Sequence, residues 1–116
     1  MWLFCRLGFF SAVKDMGSDK LMIRARCVDD LRALQQAHLT AKHQIVLTPD
    51  RDYPARIYVA KREWARIVKS LADELDYTNF KSSVGVDKGL ERARTYHKVW
   101  ATLQADLDDR RRRRVG

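Results

Sequence analysis

Two short segments of alternating apolar and polar residues constrain the fold of this chain more than any other feature. In one segment Arg24 and Arg26 separate apolar residues, and in the other Arg56 and Tyr58 do so. Successive side chains of a β-strand point to opposite faces of a sheet. The alternation therefore predicts two strands, each with one buried and one solvent-facing side.

Each predicted strand has a partner nearby in the chain. The apolar start, residues 1–13, is predicted to form one buried strand that a turn connects to the alternating segment 21–27. Residues 45–47 are predicted to pair with the segment 55–59 across a turn at 48–54, which contains both prolines. The sequence therefore predicts two β-hairpins.

Apolar residues at helical spacing follow each predicted hairpin. Residues 29–39 predict a short amphipathic helix, with Asp29 or Asp30 accepting hydrogen bonds at its start. The clearest helical pattern comes later and consists of five apolar residues on one face: Trp64, Ile67, Val68, Leu71 and Leu75. A last helix is predicted over 90–107, whereas Asn, Ser and Gly residues make 76–89 irregular in this interpretation.

The resulting order is strand, strand, helix, strand, strand, helix, helix. It predicts an α+β two-layer sandwich, with two or three helices on one face of an antiparallel sheet of about four strands in two hairpins. A chain of 116 residues is long enough for one core of this kind. We therefore predict a single domain over residues 1–107 and a disordered basic tail over residues 108–116.

Positive charge is the main chemical signal of the sequence. The chain has 23 basic and 15 acidic residues and a net charge of +8. Part of the excess lies in the run Arg110–Arg114, which could strengthen nucleic-acid binding without making it specific. The remaining excess favours a nucleic acid or an acidic protein surface as partner.

The strand arginines form the first candidate binding group. If the two hairpins lie side by side in one sheet, Arg24, Arg26, Arg56 and Tyr58 share its polar face. Arginines with an aromatic residue among them would suit a phosphate backbone and stacked bases. Alternatively, this face is simply solvated, or the last helix covers it.

Two further candidate groups lie later in the chain. Arg62, Arg66 and Lys69 are predicted on the outer face of the clearest helix, where cations outnumber acidic residues. Tyr77 and Lys81 fall in the segment predicted to be an irregular loop, where they could contact a partner. The alternatives are an ordinary charged helix surface and, for the loop aromatics, a plug at the end of the core.

The sequence predicts no metal site and no cofactor. Cys5 and Cys27 lack the spacing of a zinc site, and we interpret them as free buried thiols. His38 and His43 are five positions apart, which does not place two imidazoles on one face of a helix.

Catalysis has little support in the sequence. None of the common phosphate-loop, zinc-protease or nucleophile-elbow motifs occurs. Helix capping and turn formation account for the acidic residues. An enzyme built around His97, Tyr77 or Ser11 is therefore only the third alternative.

The chain is predicted to be cytoplasmic and to have no membrane partner. Its apolar first ten residues lack a preceding basic segment, and Arg6 interrupts them, so they do not match a signal peptide. No stretch approaches the roughly 20 apolar residues that a spanning helix needs.

Several stretches, taken in order, resemble a family of short bacterial proteins. They are Met1–Phe4, Gly8–Ser11, Ile23–Arg26, Asp52–Pro54, Asp76–Lys81 and Tyr96–Trp100. The resemblance implies a bacterial or mobile-element origin and draws attention to the loop at 77–81. It implies no activity, cofactor or partner.

These observations give one leading hypothesis and one alternative. The leading hypothesis is a small non-enzymatic module that binds RNA or another single-stranded nucleic acid through the basic helix face and the strand arginines. The alternative is a bacterial or phage protein inhibitor or adaptor, such as an antitoxin or anti-defence factor. A homodimer is a further possibility, because an apolar stripe runs along the last helix through Tyr96, Trp100, Leu103 and Leu107.

Overall fold

The computed structural model describes residues 1–39 and 42–108. The chain divides into two compact units, Met1–Asp76 and Tyr77–Gly116, and each is described by itself. The prediction of a single domain over 1–107 stays a prediction. The predicted basic tail lies outside the described residues except for Asp108.

The chain is α+β, as predicted, with nine elements among the described residues. The strands are β1 (Trp2–Cys5), β2 (Gly8–Lys14), β3 (Leu21–Ala25), β4 (Val46–Leu47) and β5 (Ala55–Val59). The helices are α1 (Val28–His38), α2 (Lys61–Asp73), α3 (Phe80–Lys88) and α4 (Leu90–Leu107). None of these helices is long and apolar enough to cross a membrane.

The first unit contains one antiparallel sheet, in the order β1-β2-β3-β5-β4. Both predicted hairpins are present, as β2–β3 and β4–β5. They lie side by side because β3 pairs with β5, which brings Arg24 opposite Arg56.

The start of the chain differs from the prediction. Instead of one long strand, residues 1–13 contain β1 and most of β2, joined by a tight turn at Arg6 and Leu7. Gly8 follows the turn with φ of 146°, a conformation that side chains rarely adopt. The buried carboxylate of Asp30 accepts a hydrogen bond from the Phe9 amide at 3.0 Å and stabilises this turn. The sheet therefore has five strands rather than four.

The core of the first unit lies between the sheet and helices α1 and α2. Its fully buried side chains include Phe10, Ile23, Leu31, Leu34, Ile57 and Ile67. Trp64 and Ile67 are buried as the helical pattern predicts, whereas Leu75 lies beyond the end of α2 and is exposed. Alternate residues of β2, β3 and β5 point into this core, so the intervening residues form the opposite face of the sheet.

The second unit corrects the prediction that 76–89 is irregular. Asn79 begins α3 as its N-cap and accepts a hydrogen bond from the Ser82 amide at 2.9 Å. Gly89, with φ of 96°, separates α3 from α4. The two helices bury Val84 and Tyr96, and the Phe80 ring stacks on the Tyr96 ring.

Candidate nucleic-acid interface

Four side chains form a row across the face of the sheet that points away from the core. Pairing of the strands places Trp2 opposite Ser11, Ser11 opposite Arg24, and Arg24 opposite Arg56. Neighbouring strands are about 4.8 Å apart, so Trp2 and Arg24 are separated by roughly 10 Å along this row. We call this side of the sheet the arginine face.

Neutral oxygen and sulfur atoms hold the arginines in place. Arg24 Nη2 donates to the Ser11 hydroxyl at 2.8 Å. Arg56 is buried; its Nε donates to the Thr48 hydroxyl at 3.2 Å, and its Nη1 lies 3.1 Å from the Met22 sulfur. These contacts fix the guanidinium groups without neutralising their charge.

The loop over residues 48–54 places an aromatic ring against two of these arginines. The Tyr53 ring is buried, and the guanidinium carbons of Arg24 and Arg26 lie 4.4 and 4.6 Å from its centre. The Thr48 hydroxyl donates to the Tyr53 carbonyl at 2.9 Å and closes the loop. Cation–π contact orients both guanidinium groups. The loop therefore covers part of the arginine face.

Three arginines keep their positive charge unpaired: Arg24 of β3, Arg26 directly after β3, and Arg56 of β5. Within residues 1–39 and 42–108, no carboxylate lies within 4.0 Å of Arg24, Arg26 or Arg56. Asp52 approaches Arg26 only through its backbone carbonyl, at 3.4 Å. The Nε atom of Arg24 is buried and has no hydrogen-bond partner. A phosphate group would supply the missing negative charge.

Aromatic residues of the arginine face were missed at the sequence level. Trp2 is 68% exposed, and its ring meets that of Phe9 edge-on at 5.7 Å. Phe9 in turn stacks on Phe4 at 4.5 Å. Interpreting residues 1–13 as one buried strand hid this arrangement, because only the turn before Gly8 brings these rings to one face. The interruption of the apolar run by Arg6 and Gly8 was the available signal.

Tyr58 lies on the same face of the sheet as the arginines, but the ring that lies against the guanidinium groups of Arg24 and Arg26 is that of Tyr53. It is half-buried on β5, opposite Met22 of β3. The arginine face therefore brings together Arg24, Arg26, Arg56 and Tyr58, with Arg26 the most exposed of the four.

The cations of α2 form a separate surface. Arg62, Arg66 and Lys69 are exposed, as predicted for the outer side of this helix. Arg66 donates to the His38 carbonyl at 3.1 Å, and Lys69 pairs with Asp73 at 2.7 Å. Because α2 packs on the core side of the sheet, these cations and the arginine face lie on opposite sides of the unit. A short ligand on the arginine face would therefore not reach the cations of α2.

Tyr77 and Lys81 belong to the second unit. The ring of Tyr77 lies 5.8 Å from that of Phe80, and Lys81 is in the first turn of α3 rather than in a loop. The Lys81 ammonium is 3.0 Å from Nδ1 of His97 and 4.6 Å from the centre of the Trp100 ring.

Several residues considered for metal binding or catalysis have structural partners. Cys5 is buried and Cys27 is half-buried, and neither forms a disulfide. His43 lies 2.9 Å from Glu63, and the Ser11 hydroxyl accepts the hydrogen bond from Arg24. Among the described residues, no three His, Cys, Asp or Glu side chains form a group that could hold a metal ion.

The chain was also compared with models of protein families, with curated proteins and with solved structures. None of the three comparisons found a match.

Proposed function

We propose that this protein binds single-stranded nucleic acid, RNA in particular, on the arginine face. The observation that supports this most is a row of side chains across adjacent strands. In this row the exposed Trp2 ring is followed by Ser11 and by the unneutralised Arg24. Exposed aromatic rings stack on unpaired bases, and arginines bind the phosphates between them. A row of about 10 Å suits a short stretch of extended strand rather than a duplex groove.

Pre-organisation also favours this face. The guanidinium groups of Arg24 and Arg26 are already oriented by the Tyr53 ring, so binding costs little additional side-chain entropy. By contrast, Lys69 on α2 is paired with Asp73, and among the described residues no aromatic ring lies against a cation of α2. The α2 cations would act at longer range, attracting a polyanion without fixing its position.

Fluorescence anisotropy with a labelled oligouridine tests the proposal. We expect binding at low salt that weakens steeply as salt rises, because phosphate contacts release counterions. Trp2→Ala should weaken binding about fivefold or more, corresponding to roughly 1 kcal/mol or more for loss of one base stack.

Arg26→Ala and Arg62→Ala form a matched pair of variants. Each removes one exposed arginine, but only Arg26 lies on the arginine face. Arg26→Ala should therefore weaken binding more than Arg62→Ala does. Equal losses would assign the binding to net charge, and absence of binding at low salt would refute the proposal.

A second candidate function is binding to another protein. Its support is the apolar stripe at the end of α4, where Trp100, Leu103 and Leu107 are all more than half exposed. The stripe would suit a homodimer or a heterologous partner of an inhibitor or adaptor protein. A pull-down with this protein from a nuclease-treated bacterial lysate tests it. Retention of one protein at fixed stoichiometry would favour this function. We also propose a cytoplasmic location, with which either function is consistent.

A further inference from the structure

A groove open to solvent runs along the helix pair of the second unit. It has a volume of about 630 Å³ and is lined only by residues of α3, of α4 and of the N-cap of α3. Its polar side chains include Lys81, Ser82, Arg94 and His97. Of the residues that the structure describes, no acidic one lines it. The groove is therefore a positively charged site built from residues of the second unit.

Lys81 has a fixed position in this groove. Its ammonium group lies 3.0 Å from Nδ1 of His97 and 4.6 Å from the centre of the Trp100 ring, and the His97 ring stacks on that of Trp100. An ammonium group can only donate hydrogen bonds, so Nδ1 of His97 is the acceptor. The hydrogen of the neutral imidazole is then on Nε2. Lys81 and His97 thus each have a donor available for a ligand.

Arg94 adds a third donor group. It lies three residues before His97 on α4, so both side chains are on the same side of the helix. Within the part of the chain that the structure describes, Arg94 forms no hydrogen bond and no ion pair. Its guanidinium group remains available for a bidentate contact with an anion.

Apolar residues line the other end of the same groove. Val86 is 86% exposed and Leu90 is 69% exposed, and both lie close to Gly89, where the two helices meet. Lys81 and Val86 are five residues apart on α3, which corresponds to about 7.5 Å along the helix axis. The groove therefore offers cationic donors at one end and apolar surface at the other.

We propose that this groove binds a phosphate monoester carried on an apolar or aromatic body. Lys81, Arg94 and His97 would hold the phosphate, and Val86 and Leu90 would contact the organic part. A monoester suits three donor groups better than a diester, because it carries close to two negative charges and three terminal oxygens. Both a free nucleotide and the 5′-phosphorylated end of a strand have this chemistry.

NMR titration of the full chain with adenosine monophosphate tests the proposal. The His97 ring signals and the Trp100 indole N–H signal, assigned with Trp100→Phe, report on the groove. We expect both signals to shift, with adenosine monophosphate binding at least tenfold more tightly than adenosine or inorganic phosphate. Absence of a shift, or equal affinity for adenosine, would overturn the proposal.

Two variants of α4 provide a matched comparison. Arg94→Ala and Lys98→Ala each remove one exposed positive charge, but only Arg94 lines the groove. Arg94→Ala should weaken adenosine monophosphate binding about tenfold, as expected for loss of a charge-assisted contact. Lys98→Ala should leave it within about twofold. Equal losses in the two variants would contradict a defined site.

Oligonucleotides distinguish the two sources of the ligand. A preference for a 5′-phosphorylated over a 5′-hydroxyl oligouridine that disappears in Arg94→Ala would identify a strand end. Adenosine monophosphate binding without that preference would identify a free nucleotide. Trp2→Ala should not change adenosine monophosphate binding, so failure of the arginine-face proposal and failure of this one give different results.

Discussion

At the scale of single residues, Gly8 and Arg56 show how local chemistry determines this structure. Gly8 has a conformation that only glycine adopts easily, and the buried Asp30 carboxyl group lies where a Cβ atom would be. Arg56 is buried with neutral partners only. Gly8 therefore favours stability, whereas the burial of Arg56 costs desolvation free energy that no described carboxylate offsets.

Gly8→Ala is expected to destabilise the protein. A side chain at φ of 146° costs about 1–3 kcal/mol, and overlap with Asp30 adds to this. Urea unfolding followed by circular dichroism measures the change. Gly17→Ala is the control, because its added methyl group meets nothing closer than 3.9 Å. A Gly8→Ala variant as stable as Gly17→Ala would show that the turn is not constrained in this way.

Arg56→Met is expected to separate stability from binding. Methionine has a similar length and removes a buried charge that no described carboxylate neutralises, so the free energy of unfolding should stay the same or rise. Oligouridine affinity should fall, because the arginine face loses one positive charge. Urea unfolding and anisotropy measure the two effects. A loss of more than about 1 kcal/mol in stability would instead assign Arg56 a structural role.

At the scale of elements, the periodicity of apolar residues predicted more of the structure than the positions of Gly and Asn did. The alternation at β3 and β5 and the stripe at Trp64 and Ile67 were confirmed, because the side-chain period directly reflects burial on one face. The same rule gave the correct face for Arg24 and Arg56. Their contacts with Tyr53 and Thr48 depend on a loop folding back over the sheet, which no periodicity encodes.

The two errors share one cause, because Gly and Asn act differently according to their surroundings. Gly8 begins β2 after a turn that Asp30 stabilises from 21 residues away. Asn79, interpreted as a helix breaker, is the N-cap that begins α3. The contact of Asp30 with Phe9 is long-range and cannot be deduced from local composition, whereas the cap at Asn79 is a local contact with Ser82, three residues away.

Asn79→Ala is expected to weaken the first turn of α3. Loss of the side-chain acceptor for the Ser82 amide should cost about 1 kcal/mol of helix stability. Faster hydrogen exchange of the Ser82 and Ser83 amides would report this. Asn79→Asp retains an acceptor oxygen and should keep the amides protected. Unchanged exchange in Asn79→Ala would mean that packing alone maintains this end of the helix.

The end of α4 is expected to associate with a second copy of the chain. Trp100, Leu103 and Leu107 lie on one side of α4, so two copies of the chain could pack these exposed apolar side chains against each other. Sedimentation velocity should show reversible dimerisation at micromolar concentrations. Leu103→Glu should abolish it, whereas Ala101→Glu, which adds the same charge outside the stripe, should not. A monomer at all concentrations would contradict the dimer.

At the scale of the whole molecule, the division into two compact units determines what each proposal requires. The arginine face and the core between sheet and helices lie entirely within Met1–Asp76. The groove and its helix pair lie entirely within Tyr77–Gly116. The single domain over 1–107 that the sequence predicts stays a prediction, because length and composition do not reveal how contacts are distributed along a chain.

A fragment comprising residues 1–76 is therefore expected to fold and bind oligouridine without the rest of the chain. It retains all five strands, both helices that cover the sheet, and the residues of the arginine face. We expect a cooperative urea transition and an affinity within about threefold of the full chain at high salt, where long-range charge is screened. The Arg26→Ala fragment is the control and should bind more weakly than the unaltered fragment. A fragment without a cooperative transition would favour the single domain, whereas a folded fragment that fails to bind would show that the nucleic-acid interface requires residues after Asp76.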